Sequence, residues 1–253
     1  MNRDKLFDLS GRVAVVTGGS RGLGREIVRA YAAAGADVVI ASRKINDCQA
    51  LADQVTAEFG VSSLAVRCHV GHWDDVGQLA EQSYDRFGKV DVLVNNAGMS
   101  PHYSSLGEIS EELYDKVFAV NLKGPFRLSA LIGERMMAAG GGSIINISSA
   151  SANLPTPEEV PYAAAKAGLN SLTQGMARSF APLVRVNTIV AGPFLTDISA
   201  AWDMEAFERN AQTKIALRRA GDPGEIVGAA LYLASDASSF TTSALINVDG
   251  GYR

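Results

Sequence analysis

Seven short apolar segments, separated by stretches with helical periodicity, constrain the fold of this 253-residue chain more than any other feature. They are residues 13–17, 37–41, 63–68, 91–95, 143–148, 184–189 and 244–248. Each is a nearly continuous run rather than an alternating one, which is typical of strands buried on both faces of a parallel sheet. The stretches between them, such as 23–35 and 74–88, have helical spacing and end in Gly. We therefore predict an α/β fold, a single Rossmann-like doubly wound domain over residues 1–253 with a seven-stranded parallel sheet.

Charge and composition narrow the range of partners. Lys and Arg total 23 against 27 Asp and Glu, a net charge of −4, so no strongly basic face indicates nucleic acid. Cys48 and Cys68, like His72 and His102, lack the spacing of a metal site or a disulfide framework, and we predict no metal. The charged N-terminal segment and the absence of an 18-residue apolar run predict no membrane span and a cytoplasmic location.

The segment TGGSRGLG, residues 17–24, lies between the first predicted strand and a predicted helix. Gly18, Gly22 and Gly24 allow a tight turn and a close approach of the backbone to a pyrophosphate, while the following helix presents N–H groups and a positive dipole end. In this context the loop predicts dinucleotide binding rather than a merely tight turn, with Ser20, Arg21 and Leu23 among the contacts.

The residues after the second predicted strand indicate which dinucleotide is bound. An NAD-binding protein is expected to place an acidic residue there for the ribose hydroxyls, but this chain has Ala41, Ser42 and Arg43. Arg43 and Arg21 can donate charge-assisted hydrogen bonds to a 2′-phosphate. We predict NADP(H) as the cofactor; the alternative is that both arginines are simply solvated at the ends of their elements.

Tyr162 and Lys166 in YAAAK are four residues apart, so both polar groups lie on one helix face. By itself this pair is more often an ordinary helix surface. Together with the glycine loop, NNAG at 95–98, Asn121 and Ser149, however, it resembles the short-chain dehydrogenase/reductase family in its compact form. The similarity extends over the whole chain, including GPFLT at 192–196 and NVDGG at 247–251.

The resemblance implies a catalytic tetrad of Asn121, Ser149, Tyr162 and Lys166. Tyr162 would exchange a proton with the substrate oxygen, which Ser149 would hold, and Lys166 would bind the nicotinamide ribose and lower the pKa of the tyrosine. Asn121 would hold a water that connects Lys166 to solvent. Moving a phenol from a pKa of about 10 to about 7 requires roughly 4 kcal/mol. One positive charge at about 4 Å in an effective dielectric near 20 supplies an interaction of about that size.

The resemblance also implies further cofactor contacts and an assembly. These contacts are Val70, Asn96, Ala97, Gly98, Phe194 and Thr196. At position 69, where family members often have an Asp that meets the adenine amino group, this chain has His69. A neutral imidazole can accept a hydrogen bond or stack, although a solvated histidine is at least as common at a strand end. Family members are commonly homotetramers, with helices near 110–138 and 160–181 between subunits.

Two loop-rich segments, 150–161 and 193–221, follow strands and are expected to contact the substrate. Trp202, Met204 and Phe207 in the second form either an apolar lid or part of a surface helix, and Glu158 and Glu159 in the first are either solvated or select a polyol or amine. We predict an NADP(H)-dependent oxidoreductase that interconverts a secondary alcohol and a ketone. The alternatives are a 3-oxoacyl-carrier-protein reductase, which the few basic residues near 134–142 and 179–187 disfavour, and a non-catalytic NADP-binding protein.

Overall fold

A computed structural model of the chain describes residues 6–196, 199 and 203–253. Its strands are β1 (Val13–Thr17), β2 (Asp37–Ser42), β3 (Ser63–Arg67), β4 (Val92–Asn95), β5 (Gly142–Ser149), β6 (Val184–Ala191) and β7 (Leu245–Val248). All neighbouring pairs are parallel, and the order across the sheet is β3-β2-β1-β4-β5-β6-β7. The prediction of a single doubly wound domain with a seven-stranded parallel sheet is confirmed.

Helices cover both faces of the sheet. Those of the described residues are α1 (Gly22–Ala33), α2 (Ile45–Phe59), α3 (Trp73–Phe87), α4 (Glu111–Phe118), α5 (Gly124–Ala138), α6 (Val160–Ser179), α7 (Met204–Lys214) and α8 (Val227–Ala234). The predicted helical regions near 110–138 and 160–181 correspond to α4 with α5 and to α6. None of the described helices is long and apolar enough to cross a bilayer.

The continuous apolar runs arise because each strand serves two cores. In β1, Val16 packs with Ile27 of α1 on one face of the sheet, and Val15 packs with Ile132 of α5 on the other. The same alternation continues in β4, where Leu93 faces the α5 side. Since successive side chains of a strand point to opposite faces, a strand covered on both sides needs apolar residues at every position.

The order of the strands reverses direction between β1 and β4. Connections from β1 lead through β2 to β3, whereas those from β4 lead the opposite way through β5 and β6 to β7. A crevice opens outside the carboxyl ends of the strands at such a reversal, and ligands of open α/β sheets bind there. The glycine loop after β1 and the segment 95–98 after β4 lie on the two sides of this crevice.

Candidate active site

The glycine loop joins β1 to α1 with the backbone conformations that its sequence suggested. Gly18 and Gly22 have φ of 63° and 51°, a left-handed region that side chains other than Gly rarely adopt. A Cβ on Gly24 would lie 2.2 Å from the carbonyl oxygen of Gly18, so this glycine lets α1 pack directly on the loop. Arg21 precedes α1 in an extended conformation and provides no side-chain cap. The side chain of Arg21 therefore does not accept hydrogen bonds from the first N–H groups of the helix, and these groups can bind an anion.

Asn96 ties the two sides of the crevice together. Its Nδ2 donates to the carbonyl oxygens of Thr17 at 2.9 Å and Gly18 at 3.1 Å. The Thr17 hydroxyl oxygen in turn accepts from the backbone N–H groups of Asn96 and Ala97, at 3.0 and 3.2 Å. These four bonds connect the ends of β1 and β4, so Asn96 supports the shape of the glycine loop.

The end of β2 lies beside the glycine loop. The Ser20 hydroxyl donates to the Ser42 hydroxyl at 3.1 Å, which links the loop to this strand end. Arg21 and Arg43 are both exposed and line the same cavity, as does Lys44. A carboxylate is also present, because Asp47 lies 4.0 Å from the Lys44 ammonium. The cluster of Arg21, Arg43 and Lys44 with Asp47 retains an excess of positive charge at this end of the cavity.

His69 follows β3 and has a defined hydrogen-bonding pattern. Its Nδ1 accepts from the backbone N–H of Gly71 at 3.2 Å, and its ring stacks on His72 with centroids 4.2 Å apart. Burial, with the neighbouring charges of His72 and Arg43, lowers the pKa of His69. With Nδ1 used as an acceptor, the neutral ring carries its proton on Nε2. His69 therefore offers a donor or a stacking face to a base, and its acceptor is used within the chain.

Three of the predicted catalytic side chains come from two adjoining elements. Ser149 is the last residue of β5, and Tyr162 and Lys166 lie one turn apart on α6. The Lys166 ammonium lies 5.7 Å from the centroid of the Tyr162 ring and donates to the carbonyl oxygen of Ile147 at 2.8 Å. The neighbouring strand end and helix face thus bring a hydroxyl, a phenol and an ammonium to one side of the crevice.

Burial dominates the titration of the Tyr162 and Lys166 side chains. It raises the pKa of Tyr162 to about 12, although the hydrogen bond with Ser149 acts in the opposite direction. It lowers the pKa of Lys166 to about 8, because a charged ammonium is costly where only 3% of the residue is exposed. Both groups therefore favour their neutral forms more than they would in water.

Asn121 lies in a π-helical segment, Ala119–Lys123, between α4 and α5. Its Nδ2 donates to the carbonyl oxygens of Met99 at 2.8 Å and Val117 at 2.9 Å, and its Oδ1 accepts from the N–H of Met99 at 3.2 Å. Both amide hydrogens are thus used by backbone carbonyls. The side chain holds the segment after β4 in place, and only a second lone pair of Oδ1 is left to accept from a water. Such π-segments are frequent at functional sites.

An open cavity of about 590 Å³ runs along the crevice, within the size range of small-molecule and cofactor sites. Sixteen of the predicted site residues line it: Gly18, Ser20, Arg21, Gly22, Leu23, Arg43, His69, Val70, Asn96, Ala97, Gly98, Ser149, Tyr162, Lys166, Phe194 and Thr196. The two that do not line it are Gly24 and Asn121, which lie behind the wall and shape it. Among the described residues, no group of three potential metal ligands is found.

The predicted apolar lid is only partly described. Phe207 of α7 lines the cavity, whereas Met204 begins that helix and is exposed. Trp202 lies outside the described residues. Among the wall residues, Ser151 was predicted only as part of the segment 150–161, and Tyr252 was not predicted. Nothing in their spacing signals a site, because Ser151 reaches the cavity through a short 3-10 helix after β5 and Tyr252 through the turn at Gly250 and Gly251.

The residues present fit a nicotinamide dinucleotide. The glycine loop leaves backbone N–H groups at the start of α1, and Arg21 before α1 and Arg43 after β2 suit phosphate oxygens. Gly98 allows a ligand to approach closely at the end of the cavity that is farther from the glycine loop. A Cβ on this residue would lie 3.0 Å from Asn121 Oδ1 and 3.5 Å from Lys166 Nζ. The cavity therefore connects the glycine loop at one end with the cluster of Ser149, Tyr162 and Lys166 at the other.

Comparison with known proteins relates this geometry to a family. The family model described as "Enoyl-(Acyl carrier protein) reductase" matches residues 18–253. An uncharacterized oxidoreductase of Mycobacterium tuberculosis is 41% identical over 250 residues, covering 97% of this chain and 94% of the relative. A short chain dehydrogenase/reductase of Aspergillus oryzae is 37% identical over 253 residues, covering 98% and 97%. The chain belongs to the short-chain dehydrogenase/reductase family.

Members of the short-chain dehydrogenase/reductase family are oxidoreductases that act on CH–OH groups with a nicotinamide cofactor. A solved relative is a 3-oxoacyl (acyl-carrier-protein) reductase of Agrobacterium tumefaciens with NADP bound. It superimposes with a TM-score of 0.93 at 33% identity, covering 100% of this chain and 98% of that one. The resemblance drawn from the sequence is therefore confirmed at the level of family, fold and cofactor class.

Proposed function

We propose that this chain is an NADP(H)-dependent oxidoreductase that interconverts a secondary alcohol and a ketone by hydride transfer. The observation that carries the proposal is the convergence of Ser149, Tyr162 and Lys166 on one wall of a cavity that begins at the glycine loop. A nicotinamide, when bound, supplies or accepts the hydride. A carbonyl oxygen gains a proton when the hydride reaches its carbon, and a phenol beside that oxygen is a suitable donor.

Each member of the tetrad has a role that its surroundings support. Tyr162 donates the proton in reduction and accepts it in oxidation, and Ser149 holds the substrate oxygen through its hydroxyl. Lys166 binds the ribose hydroxyls, for which its position beside Gly98 at the cavity wall is suited. Asn121 holds the segment after β4 and offers Oδ1 to a water. Since the pKa of Tyr162 is raised to about 12, its phenol is protonated at neutral pH and ready for ketone reduction.

The proposed preference for NADP(H) is supported by Arg21 and Arg43 at the cavity rim and by the NADP bound to the related reductase. Arg43→Asp would replace a donor by a repelling carboxylate. Because a hydrogen bond to a charged group contributes about 1.5–3 kcal/mol, we expect the ratio of NADPH to NADH affinity to fall by roughly ten- to a hundred-fold. Fluorescence titration with both cofactors measures this ratio.

The matched control for cofactor preference is Arg178→Asp. Arg178 is exposed near the end of α6 and does not line the cavity, so the same change of charge there is expected to leave the ratio unaltered. An unchanged ratio in Arg43→Asp, or an equal change in both variants, would remove the argument for a phosphate contact at the end of β2.

The alternative of a 3-oxoacyl-carrier-protein reductase has some support from the related structure that carries this name. An acidic carrier needs free positive charge near the cleft. Arg135 at the end of α5 is instead paired with Glu81, and Arg185 donates to the carbonyl oxygen of Leu233 at 3.0 Å. Both cations within the two segments considered for docking are thus engaged within the chain, so we favour a small-molecule substrate.

The test of the proposed function is a set of NADPH-linked assays with purified protein. Sugars, polyols, hydroxysteroids and 3-oxoacyl thioesters, with their oxidised or reduced partners, cover the candidate substrate classes. We expect turnover of at least one secondary alcohol and ketone pair. NADPH binding without turnover of any compound would favour the non-catalytic NADP-binding alternative.

The proposed assembly is a homotetramer held through α4, α5 and α6. Support comes from aromatic side chains exposed on the first two of these helices. Tyr114 stacks on Phe118 with ring centroids 4.5 Å apart, and Phe126 is 41% exposed. Apolar side chains of this size on adjoining helices suit an interface between copies. A cytoplasmic location remains a prediction from the sequence.

A further inference from the structure

Glu159 places a carboxylate on the wall of the cavity, in the segment between β5 and α6. It occupies the position just before α6, yet its side chain does not cap the helix. Instead its Oε2 accepts a hydrogen bond from the Ser151 hydroxyl. The carboxylate is therefore turned toward the cavity and away from the helix end, where a side chain at this position usually acts.

The carboxylate is close to the proposed reaction centre. Ser149 donates from its hydroxyl to the Ser151 hydroxyl at 3.2 Å, so Ser151 is the one hydroxyl between Glu159 and Ser149. The negative charge of Glu159 also contributes to raising the pKa of Tyr162 and that of Tyr252. Glu159 thus lies near both the proton donor and the C-terminal wall of the substrate end of the cavity.

No described Lys, Arg or His forms an ion pair with Glu159, although other carboxylates of the chain, such as Glu225 with Arg219, are paired. Lys116, Lys166 and Arg43 line the same cavity and do not pair with this carboxylate. Oε1 has no hydrogen-bond partner among the described residues. Oε1 is therefore an open acceptor on a half-buried carboxylate at the wall of the cavity.

We infer that Glu159 selects substrates that carry a hydrogen-bond donor, a hydroxyl or a protonated amine, beside the reacting carbon, and rejects substrates with an anionic group there. The inference rests on the proposed function, which it makes more specific. A donor on the substrate would bind Oε1 while Ser149 and Tyr162 hold the reacting oxygen. A carboxylate on the substrate would meet a like charge at short range.

The test compares four small ketones that differ in one substituent: aminoacetone, hydroxyacetone, methoxyacetone and acetoacetate. The ratios of kcat/KM within the set measure selection, independently of overall activity. In the wild-type protein we expect aminoacetone and hydroxyacetone to exceed methoxyacetone by roughly ten-fold, the scale of one hydrogen bond to a charged group. Acetoacetate is expected to be the poorest of the four.

Glu159→Gln keeps an acceptor oxygen and removes the charge. We expect the advantage of aminoacetone over methoxyacetone to fall by roughly ten-fold and the relative rate with acetoacetate to rise by a similar factor, while hydroxyacetone remains better than methoxyacetone. Glu158→Gln is the matched control. Glu158 is exposed and does not line the cavity, so this variant is expected to leave all the ratios as they are.

Equal ratios in the wild-type protein and Glu159→Gln, or acetoacetate as the best wild-type substrate, would overturn the inference. Turnover of none of the four ketones would count against the proposed function itself. Affinities of the same four compounds for the NADPH-loaded protein, measured by calorimetry, would then decide the inference separately. Equal affinities for aminoacetone and acetoacetate would contradict it, and a preference for aminoacetone that Glu159→Gln abolishes would support it.

Discussion

Tyr162→Phe is expected to lower kcat for ketone reduction by about 10²–10⁴-fold, the range that a positioned general acid contributes. The change removes one oxygen and the proton that the substrate oxygen would receive, and leaves the aromatic ring in place. The affinity for NADPH should change by less than about three-fold, because the glycine loop and the arginines provide most of the binding. Steady-state kinetics and fluorescence titration measure the two quantities.

Tyr114→Phe is the control for Tyr162→Phe. Tyr114 is exposed on α4 and does not line the large cavity, so loss of its hydroxyl should leave both kcat and NADPH affinity near the wild-type values. If Tyr162→Phe retained more than a tenth of the wild-type kcat, another group would have to donate the proton. If it lost NADPH binding in parallel with activity, the residue would act on the cofactor site and not on the proton.

Lys166→Met is expected to abolish most activity without loss of stability at pH 7. Burial lowers the pKa of Lys166 from 10.5 to about 8, so the folded protein carries a penalty of roughly 3 kcal/mol for keeping the ammonium charged. Met removes that penalty and leaves the carbonyl of Ile147 without its donor, which costs about 1–3 kcal/mol. The removed penalty and the lost hydrogen bond nearly cancel, or their sum makes the variant more stable than the wild-type protein. A purely structural lysine would give the opposite pattern, a less stable protein at pH 7.

The expected effect of Lys166→Met on stability changes sign between pH 7 and pH 10. Below pH 8 the lysine is charged in both the folded and unfolded chain, and the full penalty applies to the wild-type protein. As pH rises from about 8 to 10.5, the folded lysine becomes neutral first and the penalty disappears. Lys166→Met should therefore have a Tm equal to or above that of the wild-type protein at pH 7, and a lower Tm at pH 10. A variant that is clearly less stable at pH 7 would contradict the proposed balance.

The sequence alone predicted the sheet well because of a physical regularity. A strand between two layers of helices must be apolar at every position, and such runs are distinct from the 3.6-residue period of the helices. The ends of the strands were less well predicted. β6 continues two residues beyond the predicted 189 to Ala191, since pairing with Val248 of β7 extends the ladder past the apolar run. Hydrogen bonding to a neighbouring strand determines where such a strand ends. The sequence of the strand itself does not contain this information.

The sequence pattern also did not predict the interruption of the helical region 110–138. Ala119–Lys123 is π-helical, and the Asn121 side chain there binds the backbone of Met99 after β4. A partner 22 residues away in the chain stabilises this conformation, whereas helical periodicity reports only neighbours within one or two turns. The position of Asn121 was predicted by resemblance; its attachment to the segment after β4 is visible only in the structure.

Burial of the Tyr162 side chain shifts the pKa of its phenol in the direction opposite to the one expected from Lys166 alone. One ammonium at about 4 Å is able to stabilise a phenolate by the required amount, but in the structure the Lys166 ammonium donates to the carbonyl oxygen of Ile147 at 2.8 Å. Loss of solvent around the phenol then dominates, and its pKa is raised to about 12. Spacing along a helix predicts that two groups share a face, while the separation of their charged atoms and their burial depend on the tertiary fold.

The substrate end of the cavity was the least predictable part of the site. Glu159 was recognised as a charge in a loop, but its connection to Ser149 through Ser151 depends on how residues 149–152 turn after β5. Tyr252 reaches the wall from the far end of the chain. Binding residues of this kind lie on loops and tails that have no periodicity, so their convergence is a property of the fold.

The most direct measurement of the central claim is the fate of the hydride. NADPH carrying deuterium at both C4 positions of the nicotinamide ring would be incubated with the protein and the panel of ketones, and the alcohol products analysed by mass spectrometry and proton NMR. The proposal predicts one deuterium bound to the carbinol carbon of the product, with Tyr162→Phe forming far less of it. Consumption of NADPH with no deuterium at that carbon, or stable NADPH binding with no alcohol formed from any ketone, would contradict the proposed function.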